Sequence, residues 1–350
     1  MRTDDFDYHL PPELIAQTPL ERRDSSRLLA LDRAGGAIRH SRFSGIGEYL
    51  RPGDLMVFNR SRVIPARIYG RRESGGSVEF LLLSRVEPCL WRALARPGRR
   101  LQPGARVVLD IPDRPSGEPV PEYDVEVCGS EDDGVKLVRF VDEGVIDRSG
   151  HTPLPPYIHT RLEDPERYQT VYARDPGSAA APTAGFHFTR KLLEDLRRAG
   201  VEMAFVTLHV GLDTFRPVQE DDPREHKIHT EYFEVDAEAA QALDRARREG
   251  RRIVAVGTTS VRTLEQVGRD LEGQGGNGIG PASGQADLFI LPGHRFRLVD
   301  AMITNFHLPR STLMMLVSAF AGRDLVLQAY QTAIEERYRF YSFGDAMLIT

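Results

Sequence analysis

Residues 63–150 restrict the possible folds more than any other part of the chain, because they show almost no helical periodicity. Six short apolar runs follow one another instead, at residues 63–69, 78–83, 90–95, 107–111, 123–127 and 135–140. Turn-forming pairs separate these runs, among them Gly75-Gly76 and Pro97-Gly98. Short strands at this spacing are typical of a β-sandwich or β-barrel, so we predict a small β-barrel domain over residues 63–150.

The rest of the chain alternates between strand-like and helix-like segments. Thr189 is placed to cap a helix that ends near Gly200, and Asp236 to cap a helix over residues 237–249. Further helices are expected at residues 261–271, 311–321 and 325–338, and strands at 55–59, 203–210, 252–256, 298–304 and 346–349. This alternation predicts a three-layer α/β domain. We therefore predict a discontinuous α/β catalytic domain, formed by residues 1–62 and 151–350, into which the β-barrel is inserted.

Composition and length exclude several classes of protein. With 350 residues, 41% hydrophobic and 28% charged, the chain has the balance of a globular protein and not of a disordered or collagen-like one. The longest apolar run, residues 313–321, is far shorter than the roughly 20 residues of a membrane-spanning helix. The N-terminus has no apolar signal segment, and Cys89 and Cys128 form no C-x-x-C motif. We therefore expect a cytoplasmic protein without membrane contact, disulfide framework or cysteine zinc site.

The net charge argues against a basic field over the whole protein. It is formally −5, so any contact with a nucleic acid requires a local basic patch. Arg60, Arg62 and Arg67 surround the start of the predicted barrel and are candidates for contacts with RNA phosphates. Arginine is abundant throughout, however, since only three of the 46 basic residues are lysines. Solvated surface charge is therefore the plainer interpretation of these three arginines.

Two glycine-containing motifs differ in what they predict. Residues 273–278 match the spacing G-x-G-x-x-G, but a helix precedes them where a nucleotide motif requires a strand, so we interpret them as a loop. Gly257, Thr258 and Thr259 instead stand between a predicted strand and a predicted helix. The unpaired N–H groups at such a helix N-terminus suit an anion, although ordinary capping by either threonine explains the pattern equally well.

His226, His229 and Glu231 resemble part of a metal site. The two histidines of a helical zinc motif lie one turn apart, but here Pro223 precedes them and the following residues alternate as in a strand. On a strand, His229 and Glu231 point to the same face, which suits hydrogen bonding or proton transfer better than chelation. We therefore predict no metal site.

Three further histidines, His187, His209 and His307, each adjoin an apolar run and a glycine or a proline. Strand ends in α/β folds face the ligand-binding crevice, so each of the three is a candidate for a functional site. A structural histidine is the plainer interpretation of any one of them, but three in one domain favour a functional role for the set.

Five segments are long or unusual in composition: YQTVYA at 168–173, AAPTAGFHFT at 180–189, LHVG at 208–211, VGTTSVR at 256–262 and TNFHLPRSTL at 304–313. They resemble the S-adenosylmethionine:tRNA ribosyltransferase-isomerases of queuosine biosynthesis, and the resemblance extends over nearly the whole chain. Asp213 replaces a glycine that is usual in that family, which adds a charge to a turn near the expected site. Phe186 and Ala286 replace a usual leucine and a usual threonine, and both changes are expected to be tolerated.

The resemblance implies an α/β domain with an inserted β-barrel. It also implies that the ribosyl carbons of S-adenosylmethionine are transferred to the base preQ1 at the wobble position of tRNA and isomerised, giving epoxyqueuosine-tRNA, adenine and methionine. S-adenosylmethionine is then a consumed substrate, and neither a metal nor a redox cofactor is implied. We expect the partners to be S-adenosylmethionine and tRNA carrying preQ1, and the protein to be a monomer.

Given that reaction, candidate roles follow for particular residues. The base that removes a C5′ proton beside the sulfonium should have a pKa near neutrality, so the candidates are His209, His229 and His307. Glu231 is a candidate for orienting or replacing one of them. The candidates for binding S-adenosylmethionine are Gly257, Thr258, Thr259 and Arg262 at the carboxylate, Asn305 at the adenine or ribose, and Phe186, Phe188 and Phe306 at the sulfonium. Arg60, Arg62 and Arg67 are the candidates for tRNA binding.

Two other functions agree with parts of the sequence. A tRNA methyltransferase would use the same donor but release S-adenosylhomocysteine, and the sequence lacks the glycine-rich strand–turn motif of such enzymes. A non-catalytic RNA-binding module would need stacking aromatic residues beside a basic stripe, which an aromatic content of 8% and a net charge of −5 do not favour.

Overall fold

The computed structural model describes residues 1–112, 122–131, 134–211, 217–228, 230–273, 275 and 278–350. The strands in these ranges are β1 (Arg27–Leu31), β2 (Ile38–Arg42), β3 (Leu55–Asn59), β4 (Ser61–Val63), β5 (Arg67–Arg72), β6 (Ser77–Glu87), β7 (Leu90–Arg96), β8 (Arg106–Leu109), β9 (Val125–Ser130), β10 (Lys136–Phe140), β11 (Gly150–His151), β12 (Asp175–Ser178), β13 (Glu202–Leu208), β14 (Glu231–Val235), β15 (Ile253–Val256), β16 (Ala282–Ala286), β17 (Ala301–Asn305) and β18 (Ala346–Ile349). The α-helices are α1 (Val145–Ser149), α2 (Arg190–Arg198), α3 (Ala237–Arg248), α4 (Thr258–Gly273), α5 (Thr312–Ala321) and α6 (Arg323–Glu335).

The chain divides into two compact units. The first consists of Met1–Ser61, Pro156–Asp175 and Ala181–Thr350, and the second of Arg62–Pro155 and Pro176–Ala180. Three separate chain segments therefore build the first unit, and two build the second.

A nine-stranded mixed sheet forms the centre of the first unit, in the order β16-β14-β13-β3-β15-β17-β18-β1-β2. The inner strands β13, β3, β15 and β17 run parallel to one another, whereas β18 runs antiparallel to β17. Every residue of β3 and β15 is buried, and all but Asn59 are apolar, which is typical of parallel strands that are covered on both faces. The carboxyl ends of these four strands therefore lie along one edge of the sheet.

The hydrophobic core of the first unit joins the sheet to the 3-10 helix Phe43–Tyr49 and to α2. Helix α2 begins where the Thr189 side chain accepts a hydrogen bond from the N–H of Leu192, at 3.1 Å. Its buried residues, Leu192, Leu193 and Leu196, recur at the spacing of one helix face and belong to that core. The capping residue and the apolar spacing together fix where the helix starts and which face it buries.

The second unit contains a closed antiparallel barrel of six strands, in the order β5-β6-β7-β10-β9-β8, which closes where β8 pairs with β5. Strand β11 adds to β5 outside this closed set. At the closing pair, a Cβ atom on Gly70 would lie 2.6 Å from the carbonyl oxygen of Val108, so a larger residue there would push the two strands apart. The interior is filled by side chains such as Phe80 and Val138, both fully buried.

The predicted α/β fold with an inserted β-barrel is confirmed. Helix α4 begins at Thr258, three residues before the predicted start, and β17 begins at Ala301, three residues after its predicted start. Strands β1 and β2 have no counterpart in the sequence prediction. Among the described residues, no single helix is long and apolar enough to cross a membrane, and α5 and α6 meet that test only as a pair bent by 113°.

Candidate active site

A cavity opens in the first unit at the carboxyl ends of β15 and β17. Residues 257–259, which follow β15, and residues 304–308, which end and follow β17, line this edge. The remaining lining residues are Tyr157, Ala181, Pro182, Thr183, Ala184, Val210, Leu313, Tyr341 and Ser342. Loops that follow neighbouring parallel strands meet at one edge of the sheet, which is the usual position of ligands in α/β folds.

The N-terminus of α4 forms one wall of the cavity. Gly257 has φ +86°, a left-handed conformation that lets the chain turn sharply from β15 into the helix. The Oγ1 atom of Thr259 is buried and has no hydrogen-bond partner among the described residues. The first N–H groups of a 16-residue helix point out of its N-terminus with a partial positive charge. This wall is therefore suited to bind a carboxylate or another anion.

His307 faces the same cavity from the end of β17. Its Nε2 atom lies 2.8 Å from the hydroxyl oxygen of Thr304, and no hydrogen bond joins its Nδ1 atom to another described residue. Burial lowers the pKa of His307 from 6.5 to about 3, because the charged ring would lose its hydration. The Tyr330 hydroxyl lies 3.0 Å from the backbone nitrogen of His307 and fixes the backbone beneath the ring. The ring is therefore neutral at physiological pH and offers one nitrogen to a ligand.

Asn305 and His187 form a closed network behind the cavity. Asn305 donates to the carbonyl oxygen of Tyr341 at 3.2 Å, and its Nδ2 atom lies 3.3 Å from Nε2 of His187. The other ring nitrogen of His187 lies 2.8 Å from the Ser26 hydroxyl. Since Nε2 accepts from an amide, the proton of the neutral ring lies on Nδ1 and is donated to Ser26. Burial lowers the pKa of His187 to about 3, so this histidine acts as a structural hydrogen-bonding residue.

The aromatic wall of the cavity differs from the predicted one. Of the three phenylalanines predicted to face a ligand, Phe306 lines the cavity. Phe188 is fully buried against Phe43, with ring centroids 4.9 Å apart, and Phe186 packs on Tyr168 at 5.5 Å. Neither Phe186 nor Phe188 is among the lining residues, because both belong to the packed core of the first unit.

Tyr157 and Tyr341 supply the aromatic surface that the sequence prediction missed. Their ring centroids lie 4.7 Å apart, and the hydroxyl of Tyr157 lies 2.7 Å from that of Ser342. Tyr341 has φ +69°, a conformation that is rare for a residue with a bulky side chain and that often marks a functional site. The residues around Tyr157 and Tyr341 contain no motif of recognisable chemistry, so sequence reasoning had no basis for choosing either.

Arg262 and Glu231 are brought together, but away from the cavity lining. The guanidinium Nη1 lies 2.5 Å from a carboxylate oxygen of Glu231, and both side chains are buried. Arg262 also donates to the carbonyl oxygens of Ala286 and Leu288, at 2.9 and 3.1 Å. Glu231 accepts a further hydrogen bond from the N–H of Gly211, at 3.1 Å. The pair ties α4 to the outer strands of the sheet, so the structure gives Arg262 and Glu231 a structural role that the sequence prediction had not assigned.

His209 follows β13 at the same edge of the sheet. Strand β13 is separated from β17 by β3 and β15, so at about 4.8 Å per strand the two strand ends are roughly 14 Å apart. The His209 ring stacks on Tyr232 at 5.7 Å, and its buried Nδ1 atom has no hydrogen-bond partner among the described residues. Burial lowers the pKa of His209, while Asp175 and Glu234 act in the opposite direction. His229 and Asp213 lie outside the described residues.

The three arginines predicted to bind tRNA have different surroundings. Arg60 is held between two carboxylates, with Asp175 at 2.6 Å and Asp236 at 3.0 Å. Arg67, in the barrel unit, pairs with Glu79 at 3.3 Å, and Arg62 is partly buried. The carboxylates satisfy Arg60 and raise its pKa, so this residue is better suited to hold the fold together than to bind a phosphate.

Within the described residues there is no cluster of three or more histidine, cysteine, aspartate or glutamate side chains that could hold a metal ion. His226 contacts Glu220 at 2.9 Å, and Glu231 contacts Arg262. His226 and Glu231 therefore have protein partners of their own.

The comparisons with known proteins agree with one another. The family model described as "Queuosine biosynthesis protein" matches residues 3–349. The relatives found include the S-adenosylmethionine:tRNA ribosyltransferase-isomerases of Carboxydothermus hydrogenoformans and Symbiobacterium thermophilum, each 54% identical over 100% of both chains. A solved structure, an S-adenosylmethionine tRNA ribosyltransferase from Thermotoga maritima, is 42% identical, covers 99% of this chain and 100% of its own, and has a TM-score of 0.57.

Proposed function

Because the chain belongs to the queuosine biosynthesis family of S-adenosylmethionine:tRNA ribosyltransferase-isomerases, we propose that the cavity beside β15 and β17 binds S-adenosylmethionine. The enzyme transfers the ribosyl moiety of this donor to preQ1 in tRNA and isomerises it, giving epoxyqueuosine-tRNA, adenine and methionine. S-adenosylmethionine and tRNA carrying preQ1 are its two substrates.

One observation supports this assignment of the cavity above the others: groups suited to each part of S-adenosylmethionine line a single cavity. The N-terminus of α4 and Thr259 suit the methionine carboxylate. The amide N–H groups of Asn305 are used within the protein, but its oxygen, which accepts from Thr183 at 3.1 Å, has a second lone pair for a ribose hydroxyl or the adenine amino group. The rings of Tyr157, Tyr341 and Phe306 suit the sulfonium, since a cation is attracted to an aromatic face by about 0.5–2 kcal/mol.

His307 is the proposed base. A sulfonium acidifies the C5′ protons beside it, and a neutral imidazole inside the cavity can accept one of them. Because its pKa is about 3, the His307 ring carries no charge that would repel the sulfonium. A base this weak depends on the acidity that the substrate itself provides. His209 and His229 remain the alternative bases. Burial lowers the pKa of His209 while Asp175 and Glu234 raise it, whereas no such charge among the described residues opposes the effect of burial on the pKa of His307.

The reaction then proceeds by proton transfers, elimination and substitution. Removal of the C5′ proton starts an elimination through the ribose that expels adenine. The amine of preQ1 adds to the resulting carbon skeleton and loses a proton. The carbanion regenerated at C5′ attacks the aldehyde left at C1′, which closes the five-membered carbon ring, and the oxyanion formed at C1′ displaces methionine from C5′ to close the epoxide. The sum of these steps transfers no electrons to or from an outside carrier. We therefore propose that the enzyme needs no redox cofactor or metal, and that it acts as a monomer in the cytoplasm.

The experiment that tests this function is product analysis of the purified protein with S-adenosylmethionine and tRNA carrying preQ1. Adenine and methionine should appear together, in equal amounts, and only when both substrates are present. Release of S-adenosylhomocysteine instead would identify a methyltransferase. Binding of tRNA with no product from S-adenosylmethionine would identify a non-catalytic RNA-binding protein, and either result would refute the proposal.

A further inference from the structure

We propose that Arg23, Arg167 and Arg339 together bind a phosphodiester group of the tRNA backbone beside the cavity. We call these three residues the arginine cluster. The inference rests on the proposed function, because it assumes that tRNA is the second substrate. It gives the tRNA a contact surface on the first unit, where Arg60 is held by two carboxylates.

The arginine cluster is held by backbone carbonyl groups. Arg23 donates to the carbonyl oxygen of Glu166 at 3.1 Å, and Arg167 to that of Glu21 at 3.2 Å. Arg167 also donates to the carbonyl of Leu20, and Arg339 to that of Thr18. The guanidinium groups of Arg167 and Arg339 thus hold the segment from Thr18 to Glu21, and Arg23, which follows it, bonds back to the residue before Arg167.

The three guanidinium groups have no carboxylate at ion-pair distance in the part of the chain that the structure describes. All three are partly buried, and Nη1 of Arg339 is a buried donor without a partner among the described residues. Arg252, another partly buried arginine of the first unit, differs in pairing with Asp54 at 2.5 Å. Burying a cation without a counter-charge costs free energy, so an anion bound beside the three guanidinium groups would stabilise them.

The pKa shifts of Arg23 and Arg339 also indicate that their charges lack a direct counter-ion within the described ranges. Burial and the charge of Arg167 lower the pKa of Arg23, against a weaker attraction from Asp164 and Glu166. Burial lowers the pKa of Arg339, and Asp345 opposes this. The charges of Arg339 and Arg23 also help to lower the pKa of His187. The carbonyl groups orient the cluster without neutralising it, and the carboxylates of Asp164, Glu166 and Asp345 act on it without forming an ion pair.

The arginine cluster adjoins the aromatic wall of the cavity. Gln17, next to Thr18, donates to the carbonyl oxygen of Tyr157 at 2.9 Å. On its other side the same segment pairs with Phe340, the neighbour of Tyr341, through a hydrogen bond of 3.2 Å from the N–H of Ala16. Since Tyr157 and Tyr341 line the cavity, a nucleotide whose base enters there would bring its own backbone to the cluster.

The chemistry of guanidinium groups selects the ligand class. Arginine presents planar pairs of N–H donors that match two oxygens of a phosphate, and it stays charged at any physiological pH. A protein of net charge −5 needs such a local patch to bind a polyanion. The methionine carboxylate of S-adenosylmethionine and inorganic phosphate have similar chemistry, so the test has to separate them from RNA.

The test neutralises the cluster and measures the two substrates separately. In Arg167→Gln and Arg339→Gln, binding of tRNA carrying preQ1, followed by fluorescence anisotropy, should weaken about tenfold or more each. The slope of log K against log salt concentration should become shallower by about 0.7 for each phosphate that the variant no longer neutralises. The KM for S-adenosylmethionine should not change.

Arg245→Gln is the matched control, because Arg245 is an exposed arginine of the same unit whose partner is Glu202, at 2.7 Å. It should leave tRNA affinity and salt slope as in the wild type. If a Gln variant unfolds, Arg167→Lys and Arg339→Lys keep the charge. They should keep the salt slope but bind tRNA more weakly, because lysine lacks the paired donors of a guanidinium group.

Three results would overturn the proposal. One is unchanged tRNA affinity and salt slope in folded cluster variants. Another is a raised KM for S-adenosylmethionine with unchanged tRNA affinity, which would assign the cluster to the methionine carboxylate. The third is equal competition by inorganic phosphate in wild type and variants. Because binding is measured without turnover, failure of the proposed function, seen as absence of adenine release, is distinguishable from failure of this inference.

Discussion

The Glu231–Arg262 pair and the cavity beside β17 lie in the same unit and are both built from buried polar groups, yet they differ in how completely those groups are bonded. Arg262 directs its donors to a carboxylate and to two carbonyl oxygens. In the cavity, Thr259 has a buried hydroxyl without a partner among the described residues, and His307 uses one ring nitrogen. The first region is complete in the protein alone, whereas the second is incomplete until a ligand arrives.

This difference shows how to separate structural from functional polar residues in an arginine-rich chain. Residue type does not separate them, because Arg60 and Arg339 look equivalent in the sequence. The partners do, since Arg60 has two carboxylates and Arg339 has one backbone carbonyl and an unused buried donor. A change in a complete network should therefore reduce stability, and a change in an incomplete one should reduce binding or turnover.

The largest effect is expected in turnover, from His307→Ala. If His307 is the base, removing it should lower kcat by roughly 10²–10⁴ while the protein stays folded. Steady-state assays of adenine release measure this directly. His294→Ala is the control, since His294 contacts buried Glu265 at 3.1 Å and is not among the lining residues, so it should keep its kcat.

Full activity of His307→Ala would transfer the role of base to His209 or His229. Full activity of all three single alanine variants would exclude histidine as the base and would contradict the idea that the incomplete networks mark the chemistry.

The next effect is expected in stability, from Glu231→Ala. This change leaves the buried Arg262 without its carboxylate and should lower the free energy of unfolding by about 3–5 kcal/mol. Urea denaturation followed by circular dichroism measures the loss. In the exposed pair of Glu87 and Arg139, 3.0 Å apart, Glu87→Ala should cost far less, because water screens the attraction between the two charges. Equal losses in the two variants would contradict the structural role of the buried pair.

A third effect is expected in the pH dependence of stability. His187 and His307 have a pKa of about 3 in the folded protein and 6.5 as the ordinary value, so between these pH values the unfolded chain binds more protons. The free energy of unfolding should therefore fall as pH falls from 6.5 toward 3, by roughly 1.4 kcal/mol per pH unit for each histidine. Above pH 6.5 neither histidine should contribute a slope. Urea titrations at several pH values measure the free energy of unfolding and so give this slope.

His187→Asn tests the same slope from the complete network. Between pH 6.5 and 3, the free energy of unfolding of this variant should fall less steeply with falling pH, by the contribution of one histidine. This holds even if the substitution also lowers the free energy of unfolding at pH 7. A variant slope equal to that of the wild type would mean that His187 is not buried in its neutral form.

The smallest effect is expected from Thr259→Val. Because the Thr259 hydroxyl has no partner among the described residues, its loss should leave stability unchanged and raise the KM for S-adenosylmethionine by about 2- to 12-fold, the value of one hydrogen bond. The neighbouring Thr263→Val is the matched control on the same helix. Thr263 donates to the carbonyl oxygen of Thr259 at 3.0 Å, so its change should cost stability but not raise KM. If Thr259→Val lowered stability without raising KM, and Thr263→Val raised KM without lowering stability, Thr259 would be excluded from the binding site.

Local signals predicted the elements that local interactions build. Thr189 and Asp236 both cap helices as expected, since each side chain accepts a hydrogen bond from an N–H three residues ahead. The barrel strands were predictable because turns separate them and their partners are close in the chain. Strand β2 was missed because three of its five residues are exposed, which leaves no apolar alternation to detect.

The lining of the candidate cavity was predictable at the loops that follow β15 and β17, and much less so elsewhere. Asn305, His307 and Thr259 line the cavity because parallel strands bring their carboxyl ends to one edge. Tyr157 and Tyr341 join them from distant parts of the chain, and no local pattern encodes that meeting. Arg262 adjoins a motif that suggests anion binding, but its partner Glu231 is 31 residues away, so only the fold shows that the guanidinium is occupied.

The position of β18 in the sheet determines the order in which the fold can be completed. Residues 346–349 pair with β17 on one side and with β1 on the other, so strands β1 and β2 join the sheet only through this late segment. During synthesis, the hairpin of β1 and β2 must wait for more than 300 residues, whereas the six barrel strands are all made by residue 140. Non-local pairing of this kind slows folding, so a ribosome that stalls before the last strand would leave β17 and β1 as unpaired edges open to aggregation.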